Sequence, residues 1–151
     1  MSNPTANVQP IWVAKPDLSN NNGTGTNQLV TAAVGSDYTG VSANYSLVHT
    51  AGADGSRIDR LKFTAGGTNV QTVARIFANN GSAPTTAANN EFLGEVQLPA
   101  TAASNTTVMV SPEWVPPGGM GLTVPPGWRI YVGLATAVAA GWACAPIAGQ
   151  Y

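Results

Sequence analysis

In Pro125-Pro126-Gly127-Trp128-Arg129-Ile130-Tyr131-Val132-Gly133-Leu134 a turn-forming Pro-Pro-Gly leads into apolar residues at every second position. On an extended strand Trp128, Ile130, Val132 and Leu134 share one face, and Arg129 and Tyr131 look the other way. The same alternation, punctuated by Gly, Pro and Asn clusters, recurs along most of the 151 residues. No window of about a dozen residues keeps a 3.6 period free of Gly and Pro, so helix is expected to be nearly absent. The pattern predicts an all-β, antiparallel β-sandwich in one domain, since folding at this length buries roughly 70% of the unfolded surface.

Strand-length pieces separated by turn chemistry extend outward from that run: Gln28 to Val34, Val41 to Thr50, Arg57 to Ala65, Val70 to Ala78, Glu91 to Leu98, Thr106 to Ser111, Gly121 to Val124, Trp128 to Thr136 and Gly141 to Ile147. Ala51-Gly52-Ala53-Asp54-Gly55-Ser56 and Ala65-Gly66-Gly67-Thr68-Asn69 supply residues tolerant of positive φ and read as hairpin connections. The polar run from Asn79 to Asn90 reads as a protruding loop. Alternation then assigns faces: Phe92, Gly94, Val96 and Leu98 inward, with Leu93, Glu95 and Gln97 outward, and Leu61 and Phe63 inward against Arg60 and Lys62. The expected core is Leu47, Leu61, Phe63, Ile76, Phe92, Val96, Leu98, Val108, Val110, Trp128, Ile130, Val132 and Leu134. Truncating a well-packed member to Ala should cost about 2 to 5 kcal/mol.

Only 9% of the residues are Asp, Glu, Lys or Arg, against about 25% in an ordinary soluble domain. A surface solvated by Thr, Asn, Ser and Gln suits a protein packed in an assembly, where each buried charge would need a partner; a secreted β-domain with a neutral polar surface is the other reading. The net charge of -1 supplies no basic field for phosphates, so nucleic acid is not an expected partner. Met1-Ser2-Asn3-Pro4-Thr5-Ala6-Asn7 has neither the charged nor the apolar region of a signal peptide, and no apolar run is long enough for a membrane helix. The expectation is a product that stays where it is made, without a membrane partner. Cys144 is the one cysteine, so no internal disulfide forms, and its neighbours Trp142, Ala143 and Ala145 make it read as a small buried hydrophobe.

Residues 1–27 read as an extended arm before a domain of residues 28–151. Pro4, Pro10 and Pro16 interrupt any ladder, and the run from Ser19 to Asn27 is turn-rich. Within it, Ile11-Trp12-Val13-Ala14 is too apolar for a solvated tail. It is expected to lie on this domain's own sheet edge or, preferentially, to add as a strand to a neighbouring subunit.

Catalytic constellations are weak. His49 is the only histidine, so neither a two-histidine metal site nor a triad with a choice of base is available. It reads as a strand residue on the face of Tyr45 and Leu47 with a structural role. A glycosidase would need two carboxylates across a cleft, about 5 to 10 Å apart. Glu91 and Glu95 share a strand face on this reading but stand about 13 Å apart. The separation of Asp59 and Glu113 is not set by sequence, and Asp59 more simply pairs with Arg57 or Arg60. No carboxylate cluster suits calcium. Gly118-Gly119-Met120-Gly121 and Gly23-Thr24-Gly25 lack the strand, helix and Lys-Ser/Thr of a phosphate loop. The expectation is therefore no enzyme, no metal and no cofactor. Trp114, inside the Pro-rich Ser111–Gly119 stretch, either presents its indole to a partner or caps one end of the sandwich.

The Pro-Pro-Gly turn into Trp128–Leu134, the final strand Gly141-Trp142-Ala143-Cys144 and the Ala-Thr-Asn surface together resemble small virion proteins of tailed bacteriophages, in style across residues 57 to 148. No position carries a transferable functional role. The resemblance implies a jelly-roll-like sandwich that decorates or cements the outer capsid surface, often as a homotrimer, with its arm reaching neighbouring subunits. The expected partners are the major capsid protein and other copies of the chain, met through Ile11, Trp12, Val13 and Trp114. The alternative is a carbohydrate- or receptor-binding module of a tail or fibre, using Trp114, Tyr38 or the Asn79–Asn90 loop.

Overall fold

The alternating run after Pro126 forms a strand, Arg129–Leu134, in the computed structural model of the chain, which describes residues 11–12 and 29–151. In chain order the strands are β1 (Ile11–Trp12), β2 (Leu29–Val30), β3 (Ser46–Thr50), β4 (Ser56–Ala65), β5 (Thr72–Asn79), β6 (Asn90–Leu98), β7 (Glu113–Trp114), β8 (Leu122–Val124), β9 (Arg129–Leu134) and β10 (Trp142–Gln150). Among the described residues the one helical turn is a 3-10 turn at Ala87–Asn89. All strand pairs are antiparallel and fall into two sheets. The β10 sheet runs β1-β10-β4-β7, with β2 also on β10 and β8 also on β4; the β9 sheet runs β3-β9-β5-β6. The expected all-β antiparallel sandwich is therefore what the chain forms.

The two Gly-rich turns are not hairpins. The turn at 51–55 carries the chain from β3 in one sheet to β4 in the other, and the turn at 66–71 carries it back to β5. Composition identifies residues that permit a reversal but is silent on whether the next strand pairs or crosses over. Proline placement is more literal. Pro146 lies in β10 between the residues paired with β2 (Trp142, Ala143) and those paired with β1 (Gly149, Gln150), on a stretch where that edge meets neither. A residue without an amide hydrogen costs least there.

Ile58, Leu61 and Phe63 of β4 and Trp142 and Cys144 of β10 pack against Ala74 and Ile76 of β5, Leu98 of β6 and Ile130, Val132 and Leu134 of β9, all buried. Removing each large side chain from water stabilises the fold by about 1.5 to 3 kcal/mol. Val96 and Trp128 pack against this core while half-buried.

Four expected core residues lie elsewhere. In β3 the register with β9 slips between Leu47 and His49, so Val48 and His49 both point inward and Leu47 is only half-buried. In β6 the register with β5 slips between Ile76 and Phe77, leaving Leu93 as the extra residue, so Phe92 turns outward and Leu93 turns to the core. A β-bulge inverts every face assignment beyond it, and alternation alone does not reveal one. Thr106–Ser111 forms no strand: Ser104 Oγ accepts from the amides of Thr106 and Thr107 in a side-chain-closed turn, and Val108 and Val110 are exposed.

Residues 31–45, expected to be mostly strand, instead form a strap across the outer face of the β9 sheet. The Val34 amide donates to Leu134 O, the Tyr45 hydroxyl to Asp37 O at 2.8 Å, and Asn90 Nδ2 to Gly40 O at 3.1 Å. Beneath it Tyr45, Phe77, Phe92 and Tyr38 make a chain of ring contacts with centroids 5.1 to 5.5 Å apart. Arg75, 7% exposed, donates to Gly35 O and to the Tyr38 hydroxyl, and its Nε lies 3.5 Å from Glu95. This second layer explains why β5 is buried on both faces.

The Asn79–Asn90 loop is mostly exposed and is closed by its own side chains. Asn79 Nδ2 donates to Asn90 Oδ1, Asn80 Nδ2 to Asn89 Oδ1, and Asn90 Nδ2 to Pro84 O, closing it on itself and on the strap.

Candidate functional site

One register row organises the end of the sandwich near the Pro-Pro-Gly turn. Across the β9 sheet, His49 opposes Ile130, Ile130 opposes Ala78, and Ala78 opposes Glu91. Directly opposed residues on antiparallel strands project to the same side. Ile130 and Ala78 are buried core residues, so the whole row points toward the β10 sheet.

At one end of the row His49 is fully buried, with Nε2 2.7 Å from Oγ of buried Ser56 on β4. Imidazole and hydroxyl thus bridge the two sheets inside the core, away from any surface where a substrate could meet them. The expected structural role fits this placement.

At the other end, between β6 and β8, the sheets stand apart and leave a cleft of about 280 Å³. Ala78, Val124 and Ile130 line its depth, Leu93 and Leu122 its walls, and Glu91, Thr123, Pro125 and Trp128 its mouth. Glu91 is there because of the Leu93 bulge, which also takes it off the face of Glu95. Those two carboxylates were expected to share a face; instead Glu95 lies on the outer face, beside Arg75, and Glu91, itself exposed, lies on the face turned toward the cleft. Among the described residues the Glu91 carboxylate makes no ion pair or hydrogen bond.

Asp59, Glu113 and Asp37 have partners, whereas Asp54, exposed in the turn at 51–55, makes no ion pair or side-chain hydrogen bond among the described residues. Asp59 accepts from Arg57 at 3.1 Å and Glu113 from Arg60 at 3.4 Å. Asp37 accepts from the Thr39 amide and hydroxyl and the Ser42 amide. Among the described residues no group of three or more His, Cys, Asp and Glu side chains could hold a metal ion. Among the described residues no helix is long and apolar enough to cross a membrane. Cys144 is buried, and burial pushes its thiol pKa far up, leaving it inert.

A second feature is the long connection between β6 and β8. It carries four exposed apolar side chains: Val108 at 93%, Met120 at 79%, and Val110 and Val115 at about half. Its tip is held, not loose: Gly118, Gly119 and Gly121 take positive φ, and Arg57 Nη2 donates to Met120 O at 2.7 Å.

Trp114 is not part of that surface. It pairs with Leu61 at the middle of β4, is 6% exposed and belongs to the core cluster, so its indole is not presented to a partner and packs inside the core. Ile11 and Trp12 pair through their backbones with Gln150 and Gly149 of this domain's own β10, so these two residues take the domain's own sheet edge and not the preferred strand addition to a neighbour. Their side chains, and the whole of Val13, lie outside the described residues. Tyr38 is half-exposed at the rim of the strap.

No family model, no curated protein and no solved structure matches this chain. The cleft and the exposed arc were both hidden from sequence reading. Finding the cleft required knowing the bulge, and the arc carries the same alternating valines that read as a buried strand.

Proposed function

We propose that the chain is a non-enzymatic virion structural protein that decorates or cements a phage capsid on its outer surface, binding the major capsid protein and neighbouring protomers. The observation that carries this reading is the concentration of Val108, Val110, Val115 and Met120 on one anchored connection of a chain with 9% charged residues. Exposed apolar side chains on a chain so poor in charge suit permanent packing in an assembly.

The strand order supports a jelly-roll reading. Apart from β1–β2, β5–β6 and β7–β8, each successive strand lies in the opposite sheet, so the chain wraps both sheets together. Residues 1–27 are proposed as the arm that reaches a neighbour, with Ile11, Trp12 and Val13 as contact residues while the backbones of the first two stay paired with β10. A homotrimer made in the host cytoplasm and added to the shell would multiply weak contacts by repetition.

Co-sedimentation with intact capsids tests this directly. Binding should be lost on changing Val108 and Met120 together to Asp, exposed positions at which folding is expected to be unaffected. Removing residues 2–27 should also abolish particle binding while leaving the domain folded. Full binding by the double variant would refute the arc as the contact surface, and a purified protein that sediments only as a monomer would refute the trimer.

A second reading, a carbohydrate- or receptor-binding module of a tail or fibre, is favoured by one observation: half-exposed Tyr38 stands beside exposed Phe92, rings 5.5 Å apart. Such a pair could receive the apolar face of a sugar. Glycan binding abolished by Tyr38→Ala, with no capsid binding, would replace the first reading.

A further inference from the structure

We propose that the cleft between the sheets at β6 and β8 is a binding site for an organic ammonium group carried on an apolar body. Three observations converge on it. Its volume, about 280 Å³, lies just under the usual range of small-molecule pockets, roughly 300 to 1,000 Å³, and suits a single ring or a short alkyl chain. Its depth and walls are apolar: Ala78, Leu93, Leu122, Val124 and Ile130. Its one charged lining group is the Glu91 carboxylate, which opposes Ala78 on the inward face of the sheet and has no partner among the described residues.

Charge selects the ligand class. An anion would meet Glu91 at the entrance. A neutral sugar needs several converging polar groups, whereas only Thr123 joins Glu91 among the polar side chains of the lining. An ammonium group satisfies the carboxylate while its carbon body displaces water from the apolar walls, and the indole of Trp128 at the mouth adds a surface attractive to cations. An inward charge on an edge strand also discourages pairing with another chain. That role alone predicts no ligand, so binding separates the two.

The test is a two-dimensional NMR titration of the full chain with benzylamine, benzyl alcohol and benzoate. Benzylamine should give saturable shifts at the amides of Ala78, Leu93, Leu122 and Ile130, benzyl alcohol should bind about fivefold more weakly, and benzoate should not bind. Glu91→Gln, an exposed change, should lower benzylamine affinity to that of the alcohol and leave the alcohol unaffected. Binding by an N-acetyl-lysine amide as tight as benzylamine would mark a partner's lysine as the occupant, and weaker binding a free amine; either supports the site. Equal binding of all three probes, no saturable shifts, or indifference to Glu91→Gln would overturn it. The capsid reading stands or falls separately, because its readout is particle binding.

Discussion

His49 Nε2 and Ser56 Oγ lie 2.7 Å apart in the core, joining β3 of one sheet to β4 of the other. Both residues are fully buried, so each polar group depends on an internal partner. Ser56→Ala removes the hydroxyl from that buried contact and should cost about 1 to 3 kcal/mol, read as a lowered urea midpoint with unchanged slope. A midpoint equal to that of the parent would mean that the bond contributes nothing.

Gly94 and Trp114 make another contact between the sheets. Gly94 has φ +146°, and a Cβ there would lie 3.0 Å from Trp114 Nε1. Gly94→Ala combines an unfavourable backbone conformation with a contact tighter than packing allows. It should destabilise by about 1 to 3 kcal/mol. Thermal unfolding checks it, and a melting temperature unchanged within a degree would count against the geometry.

Arg75 is the latch of the strap. Arg75→Met keeps the alkyl stem but loses the bonds to Gly35 O and the Tyr38 hydroxyl and the ion pair with Glu95. The amide of Val34, which donates to Leu134 O, should then exchange with solvent at least tenfold faster, as its local opening becomes easier by about 1.4 kcal/mol or more. Core amides of β4 and β10 should keep their protection. Uniform loss across the molecule would show the strap to be part of one cooperative unit.

Asp37 makes the strap sensitive to acid. Burial pushes its carboxyl pKa up, but bonds from the Thr39 side chain and the amides of Thr39, Ser42 and Gly40 outweigh that and hold it below the ordinary value of 3.8. A depressed folded value means stability that is fully present above 3.8 and is lost as pH falls through the folded value. Strap protection should therefore fall in strong acid, and Asp37→Asn should remove that step. Tyr45 offers a spectroscopic marker at the other extreme. Burial, then the charge of Asp37, pushes its hydroxyl up to about 12, so its phenolate absorbance should appear after that of an ordinary tyrosine.

Cys144 reports global opening. Buried beside Phe63 on the paired strand, with its thiol pKa pushed far up by burial, it should not react with an aromatic disulfide reagent at pH 8 in the native protein. It should react fully in denaturant. Rapid labelling of the native state would place the thiol at a surface.

The alternation in Trp128–Leu134, Arg57–Ala65 and Gly141–Ile147 was sufficient by itself to determine strands, because a two-residue period is a property of the extended backbone and needs no partner to be read. Buried Leu61, Phe63, Ile130, Val132 and Leu134 followed from it, as did the absence of helix from the described residues. What alternation leaves open is everything that depends on which strand lies alongside. The bulges at Val48 and Leu93 arise from pairing with β9 and β5, and they alone turn His49 and Glu91 inward and Phe92 outward. The strap of residues 31–45 exists because the outer face of β5 presents Phe77 and Arg75 to it, a complementarity between segments remote in sequence. Val108 and Val110 carry a strand's pattern without a strand, since no neighbour offers them a ladder. Local periodicity set the elements; only tertiary pairing decided which way their side chains face, and the candidate site is made of those directions.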